Sequence, residues 1–238
     1  MIVVEQLTVR FGGVIPIDGM TLTFPGGTCG LIGPNGAGKT TFFNVLSGFV
    51  RPMSGMVTAF GDDVLAMPDF KRARWGVRRT FQTEQAIANL SVFDNVLLVH
   101  ENTGGPRASR SADVMEAVGF VGLEDVVHQP VAGLGAGQRR LVEVARAVVG
   151  TPRLVLLDEP AAGLPDEETA HLGRVIREIP AATGALVVLV DHDMSLVSSC
   201  CDTTAVLDFG RLIATGATAD VLRRDDVIRA YLGTEDET

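Results

Sequence analysis

Residues 33–40 read GPNGAGKT: two fixed glycines, a lysine and a threonine in the spacing GxxxxGK(S/T). Gly33, Gly36 and Gly38 let backbone amides curl around an anion without Cβ interference, and a helix opening at the lysine adds the positive end of its dipole. Lys39 then reaches the β and γ phosphates of a nucleotide and Thr40 offers a hydroxyl to magnesium, while Pro34, Asn35, Ala37 and Thr41 complete the cradle. Lys39 is one of only two lysines, the other being Lys71, in a chain with 18 arginines. A compact ammonium enters a tight backbone nest where a planar guanidinium fits poorly, which gives this lysine its reason. A magnesium nucleotide also needs a carboxylate at a neighbouring strand end. RLVLLDE at 153–159 supplies Asp158 to hold the metal through water, and Glu159 one residue on to polarise the attacking water as a general base.

The elements that must position these groups follow from periodicity. CGLIG at 29–33 reads as a short buried strand and TTFFNVLSGF after Lys39 as a helix, giving strand, glycine loop, helix. The first 30 residues alternate apolar and polar positions, broken at Gly12-Gly13 and Pro25-Gly26-Gly27, as in an antiparallel β layer. From about 84 to 150 the pattern turns helical, in DNVLLVHE, ADVMEAVGFVG and QRRLVEVARAVVG, with a loop over Asn102 to Pro106. RLVLLDE and ALVVLVD (185–191) are continuous apolar runs typical of parallel strands buried on both faces, with a helix between them over roughly Glu167 to Ile179. The expected class is α/β: a P-loop NTPase (RecA-like) core with an N-terminal antiparallel β subdomain and an inserted α-helical subdomain. Residues 1–83 and 152–215 would form the core, 84–151 the helical subdomain and 216–238 a C-terminal tail whose acidic end, GTEDET, reads as frayed.

Composition narrows the function classes. With 238 residues, 46% hydrophobic and 21% charged, the chain has enough apolar material for one sizeable core. A net charge of −9 argues against generic capture of nucleic acid or anionic lipid. The basic cluster KRARWGVRR at 71–79 reads as a solvated face or helix cap. Three cysteines without a CxxC pair suggest a reduced, cytosolic protein, with Cys200 and Cys201 as small core residues. His100, His128 and His171 read as surface or structural residues. No secretory signal is visible, and the apolar run Ala185 to Val190 has only six residues, so a membrane role must come through a partner.

LGAGQRRLVEVARA at 134–147, followed closely by LVLLDEP, resembles the signature helix and Walker B strand of the ABC ATPase superfamily. The resemblance runs from Val4 to Gly233 and implies further roles. Gln82 in RTFQ resembles the glutamine that touches metal and attacking water, Phe11 the aromatic that stacks on adenine, and His192 in VDHDM the switch histidine at the γ-phosphate. PAAGLP at 160–165 occupies the D-loop, and Leu134, Gly135, Ala136, Gly137 and Gln138 occupy the signature that serves a partner's nucleotide. RRTFQ, DEPAAGL, DHDMSLV, VLDFGRLIATG and DVIRAYLG resemble the ATPase subunits of branched-chain amino acid importers, with urea and amide importers as near relatives. The segment between Glu101 and Ser109 is short for that group. The resemblance implies ATP and Mg2+ as cofactors and a peripheral place on the cytoplasmic face of the membrane. The implied partners are a second ABC ATPase, in a heterodimer or homodimer, two permease subunits and, indirectly, an extracytoplasmic solute-binding protein; no nucleic acid is expected.

Two departures stand out. The signature normally reads LSGGQ, but Gly135 stands in the serine position and Ala136 follows it; Pro165 stands where the D-loop has a polar residue. Both lie on surfaces serving the partner's nucleotide, so an asymmetric heterodimer is expected in which this chain's own ATP is the active one. The alternatives are a soluble ABC ATPase driving assembly or remodelling, and a regulatory module that hardly hydrolyses ATP.

Overall fold

The computed structural model describes residues 1–103 and 108–232. The loop expected over 102–106, the short segment after Glu101 and the start of the tail therefore fall partly inside that range, and GTEDET wholly outside it. In chain order the first half contains β1 (Ile2–Phe11), β2 (Val14–Phe24), β3 (Thr28–Ile32), α1 (Lys39–Ser47), β4 (Ser54–Ala59), β5 (Asp62–Asp63), α2 (Asp69–Trp75), β6 (Val77–Arg79), α3 (Val92–Thr103) and α4 (Arg110–Phe120). The second half contains α5 (Ala136–Val148), β7 (Leu154–Asp158), α6 (Asp166–Thr183), β8 (Leu186–Val190), α7 (Met194–Cys200), β9 (Thr203–Asp208), β10 (Arg211–Ala217), α8 (Thr218–Val221) and α9 (Asp225–Leu232).

Two sheets form. The antiparallel one runs β2-β1-β4-β5, and the six-stranded one runs β10-β9-β3-β8-β7-β6, parallel except for the edge strand β10. Every residue of β3, β7 and β8 is buried, as the continuous apolar runs require. Alternation sends successive residues to opposite faces. Leu154, Leu156 and Val188 join Phe42 and Phe43 of α1 and the antiparallel layer in one core, whereas Val155, Leu157, Val187 and Leu189 join the apolar faces of α5 and α6 in the other. The fold is the expected α/β arrangement.

One local reading changes and another is sharpened. Helix α6 continues through Pro180 to Thr183 instead of stopping near Ile179. Proline removes one backbone donor but does not end a helix whose Leu172, Val175, Ile176 and Ile179 are anchored in the core, and Gly184 in the left-handed conformation terminates it. The basic cluster divides between the two expected readings: Lys71 and Arg74 are exposed, whereas Arg72 and Arg78 are buried. Arg72 caps: its guanidinium donates to the Val45 and Leu46 carbonyls in the last turn of α1 and to Met67 O. Arg78 donates to Ala73 O near the end of α2, and burial pushes its pKa down to about 10. Cys29, Cys200 and Cys201 are buried thiols, as expected of core residues. His100 is buried and places Nε2 2.7 Å from Asp113 Oδ2, joining α3 to α4.

Candidate functional site

Strands β3, β8, β7 and β6 are consecutive neighbours, and each delivers a loop to the same edge of the sheet, where α/β folds bind ligands. β3 leads into GPNGAGKT, β8 into His192, β7 ends on Asp158, and β6 leads into Gln82.

The glycine loop turns onto α1 with Gly38 as its N-cap at φ 103; no side chain caps the helix and no acidic residue lies in its first turn. Its first amides and its dipole are thus left for an anion. Gly33 (φ 149) is confined as well as turned, since a Cβ there would sit 2.1 Å from Leu207 O, whereas a Cβ at Gly36 would meet nothing within 4 Å. Gly33→Ala is accordingly expected to lower stability by about 2–4 kcal/mol, read as a fall in melting temperature. Lys39 Nζ donates to Gly33 O (2.6 Å) and Pro34 O (2.9 Å), folding over the loop. Burial lowers its pKa, and the charges of Glu159 and Asp158 oppose that shift.

Asp158 is buried, donates its amide to Thr80 Oγ1 (3.2 Å) and accepts at Oδ2 from Arg79 (2.8 Å). Glu159 breaks the strand with φ 48, an uncommon conformation for a non-glycine residue, and its amide bonds Val190 O at 2.8 Å. That turn aims its carboxylate between two loops. Oε2 accepts from Gln82 Nε2 at 2.8 Å, and Oε1 lies 3.8 Å from His192 Nδ1. The Glu159 side chain is 17% exposed and His192 is 65% exposed, so the carboxylate stands at the solvent edge, where water can reach it.

Helix α5 fastens the loop after β6. Arg140 donates to Gln82 O and Ala162 O (both 3.3 Å), Glu143 Oε1 accepts from the Gln85 amide (2.8 Å), and Arg139 pairs with Glu84 (3.1 Å). The sequence reading missed Arg79, Arg140 and Glu143. Arg79 lay in the basic cluster, and the other two within the helix that carries the signature.

Phe11 ends β1 with 52% of its surface exposed, a flat apolar face open to a stacking ring. Thr40 is exposed at the start of α1, while Thr41, Pro34, Asn35 and Ala37 complete the loop. Thr40, Gln82 and Asp158 each carry an oxygen of the hard-donor kind that Mg2+ takes. Among the described residues no group of three or more His, Cys, Asp or Glu side chains gathers around one point, so a cation here would take much of its shell from water and phosphate. Leu134 is buried and Gly135 caps α5, where Gln138 Oε1 accepts from the Gly135 amide at 3.2 Å; Ala136 is exposed. Among the described residues no hydrogen bond joins Leu134–Gln138 to the glycine loop, so this segment is not part of the same cluster.

The sequence profile of the family described as ABC transporter matches residues 17–162. The chain is 37% identical to the high-affinity branched-chain amino acid transport ATP-binding protein BraF of Pseudomonas aeruginosa, over 97% of this chain and 96% of that protein. It is 34% identical to the corresponding protein LivG of Escherichia coli K12, over 97% and 96%. Among solved structures it is similar to the ADP conformation of MJ1267, an ATP-binding cassette of an ABC transporter, with a TM-score of 0.88, 25% identity and 98% of each chain covered.

Proposed function

The chain belongs to the ABC transporter family, whose chemistry is ATP hydrolysis, and from that premise we propose that it energises an importer of branched-chain amino acids or related small solutes. The observation that carries the site reading is the Glu159 carboxylate held between Gln82 and His192 beside the glycine loop. The names of its curated relatives support the solute class.

In this reading the loop amides and Lys39 hold the β and γ phosphates and Phe11 stacks on adenine. Thr40, Gln82 and Asp158 hold Mg2+, which when bound neutralises charge developing on the phosphates. Glu159 accepts the proton of the attacking water, while Gln82 and His192 keep its carboxylate aimed. Residues 1–83 and 152–215 act as the nucleotide-binding core, 84–151 as the helical subdomain and 216–238 as a tail. Among the described residues no helix is long and apolar enough to cross a membrane. The chain works on the cytoplasmic face, against two permease subunits and a second ABC ATPase, and a solute-binding protein acts from the other side. Reconstituted vesicles containing the assembled transporter test this. Turnover stimulated by binding protein loaded with leucine, or with urea or an amide, supports the reading, and turnover that no such loaded binding protein stimulates overturns the solute assignment.

The second ATPase is a different chain, and the dimer is asymmetric. Gly135 offers no hydroxyl to the partner's nucleotide, and a Cβ there would meet only Gln138 Oε1 at 3.9 Å, so serine fits. Gly137, by contrast, is packed against Glu168, which a Cβ would approach to 2.7 Å. Gly135→Ser is expected to raise turnover at the partner's nucleotide by about 10²-fold, the usual worth of one oxyanion donor, and so to raise total turnover of the assembled transporter about twofold, because this chain's own site is already active. Unchanged turnover would remove the asymmetry.

A further inference from the structure

Arg79 is a buried guanidinium with four separate contacts. One end donates to Asp158 Oδ2 at 2.8 Å and the other to Asn44 Oδ1 of α1 at 2.7 Å. Its central carbon lies 4.8 Å from the Phe81 ring centroid and 5.5 Å from that of Phe43. The Arg79 and Asp158 side chains are 6% and 7% exposed. Lys39 is close enough to feel Asp158, but its ammonium is spent on loop carbonyls, so among the described residues Arg79 is the cation in direct contact with this carboxylate.

A buried carboxylate without a partner is strongly unfavourable, so Asp158 needs a cation whenever metal is elsewhere. Once metal arrives, two cations face one carboxylate, and like charges in a dry site repel. We propose that Arg79 is a positioning residue, the standing counter-cation of Asp158, which keeps the carboxylate in place between visits of the metal and weakens the hold of Mg2+ on the site. The inference rests on the reading that Asp158 serves Mg2+. Its consequence is that Mg2+ does not collect on the bare site but enters with ATP and leaves with ADP.

The test is equilibrium binding of a fluorescent ATP analogue to the full-length chain across a Mg2+ titration and in EDTA, with melting temperatures measured in parallel. Arg79→Met is expected to lower the Mg2+ concentration for half-maximal effect by about fivefold or more. The same variant should keep affinity in EDTA near wild type and melt earlier without metal. Arg79→Lys, which retains the charge but not the fork to Asn44 or the stacking on Phe81, should return the half-maximal concentration part of the way to wild type. An unchanged or higher Mg2+ requirement in Arg79→Met, or no return with lysine, overturns the proposal while leaving the site reading intact. A wild-type affinity indifferent to Mg2+, or an Asp158→Asn variant with an unaltered Mg2+ requirement, overturns the site reading and this inference with it. Should Arg79→Met not fold alone, adding Asp158→Asn must restore folding, because the charges are then removed together; persistent misfolding overturns the proposal.

Discussion

Glu159→Gln binds ATP with near wild-type affinity and hydrolyses it about 10²- to 10⁴-fold more slowly, the range a positioned general base contributes. The substitution is nearly isosteric, and the new amide oxygen can still accept from Gln82 Nε2, so the loops from β6 and β8 stay in place. What is lost is the capacity to take a proton from water. Single-turnover hydrolysis beside equilibrium binding separates the two effects. Rapid hydrolysis by this variant would remove Glu159 from the role of base and leave His192, 3.8 Å away, as the remaining candidate.

Lys39→Ala loses nucleotide affinity by about 10²-fold, the loss expected when charge-assisted hydrogen bonds to phosphate disappear. The fold itself should tolerate the change. Lys39 and Pro34 are only partly buried, and the one buried group left without its ammonium partner is the Gly33 carbonyl, a loss of about 1–3 kcal/mol. Lys39→Arg is expected to rescue little, because the guanidinium fork is too broad for a loop in which a Cβ at Gly38 would already sit 2.2 Å from Pro16 O. Isothermal titration with ATP and Mg2+ measures both variants. Affinity within about threefold of wild type in the alanine variant would contradict the phosphate role of Lys39.

Much of this was readable from residues because the informative positions obey short-range rules. The glycine loop needs φ values that glycine supplies, and the doubly buried strands need unbroken aliphatic runs. The apolar run placed Asp158 and Glu159 at a strand end, whereas Gln82 and His192 took their roles from the resemblance to ABC ATPases. The environment of arginine was not readable. Arg72, Arg78 and Arg79 look alike in a basic run, yet one caps α1, one donates to the end of α2 and one pairs with Asp158. Charge counting treats each as solvated, whereas the partners are α1 carbonyls for Arg72, the nearby Ala73 carbonyl for Arg78 and, for Arg79, a carboxylate brought close by the pairing of β6 with β7. The left-handed turn at Glu159 was hidden for a related reason: nothing local favours it, and the Val190 carbonyl that holds its amide belongs to a strand about 30 residues away.

The most direct test is solute-stimulated ATP turnover in vesicles bearing the assembled transporter, with Glu159→Gln confined to this chain and the other ATPase left wild type. If the nucleotide held by Lys39 is the one hydrolysed, turnover falls by about 10²-fold or more. Retention of half the activity or more would show that the other site carries the hydrolysis.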